Sequence, residues 1–81
     1  MQVQLITPEK TFFEGEIAGV QVPGALGDFG VLPGHAPFVS TLREGVVTIA
    51  LVSGETSTVS VTGGIAEVTP EKCVVLADSA A

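Results

Sequence analysis

Eighty-one residues make a single domain, and a hydrophobic share of 46% gives it material for a core and argues against disorder. Nine acids against Lys10, Arg43 and Lys72 leave a net charge of −6. That balance repels phosphate backbones and anionic lipid headgroups, and no basic stripe with interleaved aromatics offsets it, so nucleic acid is excluded as a partner.

In chain order, strand signals dominate. Residues 2–6 alternate and are closed by Thr7-Pro8-Glu9-Lys10, with proline at the second turn position. A different kind of segment follows at 27–37, Gly27-Asp28-Phe29-Gly30-Val31-Leu32-Pro33-Gly34-His35-Ala36-Pro37. A flexible linker would carry polar residues between the glycines, and a regular strand would not tolerate so many breakers. Glycine reaches φ > 0 at little cost and proline fixes φ, so the run predicts sharp bends in fixed places. It presents the only histidine, His35, at its far end, and a surface shaped this way suits a partner.

Residues 46–52 read as a buried strand, and Ser53-Gly54-Glu55 turns the chain. Residues 56–62 return with period two, Val59 and Val61 on one face, Thr58, Ser60 and Thr62 on the other. Gly63-Gly64 breaks, 65–68 runs again, a second Thr-Pro-Glu-Lys turns at 69–72, and 73–77 is the last strand. The repeated tetrad reads as shared turn chemistry, because the flanking strands do not otherwise match. No window shows a helical period. The predicted fold is all-β, an antiparallel β-sandwich or flattened barrel. Residues 78–81 leave the strand pattern, and Asp78 or Ser79 would suit a helix N-cap.

Catalytic chemistry is missing from the pattern. Asp28, His35 and Ser40 lack a nucleophile-elbow sequence and an oxyanion-hole motif. The glycines of 27–34 match neither common nucleotide fingerprint and no lysine follows them. One histidine and one cysteine on different elements do not make a zinc site. Cys73 has no disulfide partner and lies in the longest apolar run, 73–77, far short of the ~20 residues of a membrane span. It reads as core. Phe12, Phe13, Phe29 and Phe38 read as core or rim, the last two partly exposed because they flank the bent segment. The scattered acids serve solubility or a basic partner.

Several ordered blocks carry a resemblance. They are Ile6-Thr7-Pro8-Glu9-Lys10, Phe13-Glu14-Gly15-Glu16, Val20-Gln21-Val22-Pro23-Gly24, the run 27–37, Gly45-Val46-Val47, Gly63-Gly64-Ile65-Ala66-Glu67-Val68 and the closing Val75-Leu76-Ala77-Asp78-Ser79-Ala80. Together they span essentially the whole chain, which resembles the epsilon subunit of the F-type ATP synthase. The resemblance implies a sandwich of about ten short strands in the central stalk. Such a subunit binds gamma on one side and the polar loops of the membrane-embedded c-ring below, and rotates with them. It thereby couples proton-driven rotation to ATP synthesis without being an enzyme itself.

By the same resemblance Asp28, flanked by Gly27 and Phe29, faces the c-ring loops, while His35, Ser40 and Thr7 lie toward gamma. No catalytic residue, cofactor or metal is implied. Residues 1–77 form the sandwich domain, and 78–81 are a stub leading toward a C-terminal helical hairpin that this chain lacks. The inhibitory role and the ATP binding associated with that hairpin are therefore not carried over. The place implied is the cytoplasmic face of a bacterial plasma membrane, peripheral and held through the complex. No charged-then-apolar leader opens the chain, and it begins directly with the domain. The competing reading, a small β-sandwich adaptor of an unrelated complex, is separated from this one by co-purification with gamma and the ring.

Overall fold

The computed structural model describes every residue except His35. It holds eight strands among the described residues: β1 (Gln2–Ile6), β2 (Thr11–Val22), β3 (Phe29–Val31), β4 (Phe38–Leu42), β5 (Gly45–Leu51), β6 (Thr56–Val61), β7 (Gly64–Val68) and β8 (Lys72–Ala77). They follow one another across a curled sheet in the order β4-β7-β8-β1-β2-β5-β6, with β3 added beside β2. The long β2 belongs to both layers. Its first half pairs with β1, and its second half pairs with β3 and β5.

The crossing is written into β2 itself. Ile17 is buried, but then Gly19 and Val20 are buried in succession and Val22 follows. The ladder with β5 shifts register between Ile17 and Gly19. One extra residue switches which side faces inward and bends the strand from one layer to the other. Between the layers lies one apolar core. Val3, Leu5, Ala66, Val68, Cys73 and Val75 come from one sheet, and Ile17, Val20, Val22, Val31, Val47, Ile49, Val59 and Val61 face them. Branched side chains fit a pleated, one-sided surface, and each buried Val, Ile or Leu contributes about 1.5–3 kcal/mol. The four phenylalanines pack against this core from its margin.

The all-β sandwich is what the structure shows, with four departures in detail. Strands number eight where about ten were expected, because two further segments pair only through single bridges, Gly24 with Leu42 and Ala80 with Val61. The pairing is not wholly antiparallel. β1 and β8 run parallel, Val3 beside Cys73 and Leu5 beside Val75, and Gln2 N donates to Glu71 O at 2.9 Å to bring the two starts level. Strand β5 is not buried throughout; it alternates, with Val47 and Ile49 inward and Val46 half exposed. Residues 78–81 form no helix. They run extended beside β6, where Ser60 N donates to Ala81 O at 3.0 Å, Ala81 N to Ser60 O at 2.9 Å and Thr62 N to Ser79 O at 3.2 Å. This last strip joins the chain after β8 to β6, so the layers close toward a flattened barrel.

The two Thr-Pro-Glu-Lys turns are alike in chemistry. Thr7 N donates to Lys10 O at 2.9 Å and Thr69 N to Lys72 O at 2.8 Å, and each threonine hydroxyl donates to the same carbonyl at 3.2 Å. Each joins an antiparallel pair, β1 to β2 and β7 to β8. A threonine that closes its own turn suits any hairpin, so the repetition reflects local chemistry.

Candidate functional site

The chain bends at Gly27 and again at Gly34, with the short β3 between the two. Gly27 at φ +143° and Gly34 at φ +84° take conformations that favour glycine, whereas Gly30 lies inside β3. The first bend builds a tip. Gly27 N donates to Gly24 O at 3.0 Å, closing a turn with Ala25 and Leu26 at its centre, and Leu26 stands fully clear of the domain. A Cβ on Gly24 would come within 2.9 Å of the Phe29 ring. Glycine there lets the ring lie down against the turn, and Phe29 then meets Phe38 edge-on, centroids 4.8 Å apart.

Asp28 follows the turn, and its Oδ1 accepts a hydrogen bond from Arg43 Nη2. The guanidinium is held from behind by Nη1, which donates to Glu44 O at 3.1 Å, and the backbone of Arg43 is pinned by its N–H on Pro23 O at 2.9 Å. Ala25 N donates to Thr41 O at 2.9 Å alongside. A Cβ on Gly45 would fall 2.7 Å from Pro23 Cβ and 3.3 Å from Arg43 Nη1, so glycine leaves the space the guanidinium uses. Both members of the ion pair remain about half exposed.

The structure thus brings Gly27, Asp28 and Phe29 together and adds Arg43, which sequence reasoning did not single out. Fifteen positions separate the pair, and no periodicity relates them. That Arg43 is the sole arginine, beside the β4–β5 turn, was the one available signal. The remaining candidates are not gathered into one place. Ser40 lies on edge strand β4, its hydroxyl donating to Thr41 O at 3.0 Å. Thr7 is 7% exposed, its hydroxyl engaged in the turn, beside an open groove of about 300 Å³ lined by Ile6, Pro8, Leu76, Ala77 and Asp78. Strands β4 and β1 are three strand spacings apart, about 14 Å. His35 lies outside the described residues; its neighbour Gly34 donates from N to Pro70 O at 2.8 Å.

The β4-β7-β8-β1 layer lies between Ser40 and Thr7; Ser40 itself falls in the core-side row with Ala66, Val75 and Leu5, and the outer face carries the alternate residues. Register sets Thr41, Ile65, Leu76 and Ile6 in one row and Val39, Glu67, Val74 and Gln4 in the next. Val39 is 64% exposed, Leu76 50% and Ile65 44%. Apolar side chains grouped on the solvent face of a sheet mark a contact surface more often than scattered ones do. Two ionisable groups are perturbed. Burial pushes the Cys73 thiol up to about 11, and a hydrogen bond from the Met1 ammonium lowers the Glu16 carboxyl. Among the described residues no cluster of three or more His, Cys, Asp or Glu side chains could hold a metal, and no helix is long and apolar enough to cross a membrane.

The family model described as ATP synthase, Delta/Epsilon chain, beta-sandwich domain matches residues 1–81. The chain belongs to this family. It is 50% identical over 76 residues to the ATP synthase epsilon chain of Bradyrhizobium sp. (strain ORS 278), an alignment covering 94% of this chain and 56% of that protein. The epsilon chain of Caulobacter vibrioides is 49% identical over 81 residues, covering 99% of this chain and 92% of that one. The chain therefore spans little more than half the length of the Bradyrhizobium relative and nearly all of the Caulobacter one. Among solved structures, a chain of the Euglena gracilis mitochondrial ATP synthase superposes with a TM-score of 0.91 at 22% identity, over 98% of this chain and 51% of that chain. A chain of the Tetrahymena thermophila enzyme, in a structure of its central stalk and c-ring, gives 0.82 at 18% identity, over 100% and 65%. At these identities the two structures speak for the fold alone.

Proposed function

We propose that this epsilon-chain sandwich is a non-catalytic rotor domain of a proton-translocating F-type ATP synthase. It binds gamma through the outer face of the β4-β7-β8-β1 layer and the c-ring loops through the Asp28 tip, peripheral to the cytoplasmic side of a bacterial membrane. The observation that carries the reading is an exposed apolar patch, Ile65 and Leu76 paired in one row with Val39 in the row beside it, on a face that a free-standing domain would keep polar. Thr7 adjoins it through the groove it shares with Ile6 and Leu76, whereas Ser40 lies on β4 with core-side parity. Strand β4 links the two surfaces, with Val39 on the outer face and Arg43 at the tip, about 13 Å along the chain. A closed, densely packed sandwich transmits torque between them without bond-making of its own.

Co-purification tests the proposal. Leu76→Asp should leave the β-type circular dichroism intact and abolish capture of gamma; unchanged capture would refute the assignment of that face. Asp28→Lys should move the thermal midpoint little, since exposed ion pairs contribute about 0–1 kcal/mol. It should weaken docking on the ring and reduce coupling of proton flow to ATP synthesis, while gamma capture persists. Vesicles that pump and synthesise as well as the parent would remove the tip's charge from the docking contact.

A further inference from the structure

We infer that Arg43 is a positioning residue for docking: it holds Asp28 by one carboxylate oxygen and leaves the other, Oδ2, which has no partner among the described residues, open to a basic side chain of the partner. The inference rests on the reading of the tip as a docking site. Arg43 is fixed independently of Asp28, by its own N–H on Pro23 O, by Nη1 on Glu44 O and by the space that Gly45 leaves. Only Nη2 reaches Asp28, and it engages Oδ1 alone. Half of the Asp28 side chain stays in contact with solvent, so the second oxygen can accept from a guanidinium or ammonium of the partner. The tip is anchored on the opposite side as well, by the Phe29 ring against Gly24 and Phe38. A carboxylate on a glycine-rich turn would otherwise sample many directions, and ordering it during docking costs affinity.

The two roles open to Arg43 predict opposite outcomes. If it merely competes with the partner's cation, removing it exposes a full negative charge and docking tightens. If it positions Asp28, removing it weakens docking although the tip becomes more acidic. The experiment measures the dissociation constant of the chain for a solubilised gamma–c-ring rotor, with the thermal midpoint recorded for each variant.

Arg43→Met should dock about tenfold more weakly with nearly the parent midpoint. Arg43→Lys should restore only part of the loss, because a single ammonium lacks the fork that spans Glu44 O and Asp28. The exchange Asp28→Arg with Arg43→Asp rebuilds the internal pair with its charge reversed and should not restore docking. An Arg43→Met variant that docks as well as the parent, or better, overturns the inference, as does recovery of docking in the exchanged pair. Asp28→Asn separates this from the underlying reading. If it leaves docking unchanged, the tip is not the docking site. If it weakens docking while Arg43→Met does not, the inference about Arg43 alone fails. A parent chain that does not dock refutes both.

Discussion

Gly63 and Gly64 adopt φ of +143° and +137°, and a Cβ on Gly64 would fall 2.9 Å from Ala77 Cα, against backbone that cannot move aside cheaply. Strain and overpacking act together there, so Gly64→Ala should cost at least about 2 kcal/mol by chemical denaturation. Gly30 has open space where its Cβ would be and no positive φ. Gly30→Ala should stay within about 1 kcal/mol of the parent, on the stabilising side if it moves at all. The sequence marks both as glycine and gives no hint of this contrast. Cys73 supplies a pH test. Its thiol rises from the usual 9.0 to about 11 on burial, so the unfolded chain ionises first. Stability is fully present below pH 9 and falls as the pH climbs toward 11. A Cys73→Val variant should show a flatter decline in thermal midpoint over that window; an identical slope would remove the thiol as the cause.

At the scale of elements, periodicity serves well wherever one face is wet and the other dry. Val59 and Val61 are buried, and Thr58, Ser60 and Thr62 are exposed. It serves less well where a strand changes layers, as β2 does at Ile17 and Gly19, because one extra residue reverses the parity on which the pattern depends. The last residues show how tertiary pairing overrides a local cap signal. Asp78 N donates to Gly63 O at 2.9 Å and the residues beyond it seal the free edge of β6, so their backbone groups are satisfied across strands. Deleting 79–81 should therefore turn the Ser60 and Thr62 amides from slow to fast in hydrogen exchange while core amides of β1 and β8 stay protected. Unchanged protection at Ser60 would show that the strip contributes nothing to the edge.

For the molecule as a whole, the first and last strands are neighbours. β1 lies between β8 and β2, and its parallel partner comes from the other end of the chain. Closing so large a loop before the central pairing exists is slow, which predicts single-exponential refolding in milliseconds to seconds and one cooperative transition. The chain has no Trp or Tyr, so stopped-flow far-ultraviolet circular dichroism is the suitable readout. A microsecond phase carrying most of the amplitude, or separate transitions for the two layers, would contradict this.

The class of fold, most of the strands, the turns and the bends around residues 27–34 were legible in the sequence. These depend on neighbours a few residues apart: alternation of apolar and polar side chains, proline and glycine at turn positions, a threonine closing its own loop. The parallel pairing of β1 with β8 and the hold of Arg43 on Asp28 came instead from how the whole chain packs. Each of these joins residues far apart in the chain, and their pairing is settled by which sheet edges meet when the core closes. Composition cannot express that, because the same alternating strands could be ordered in many ways around the same core.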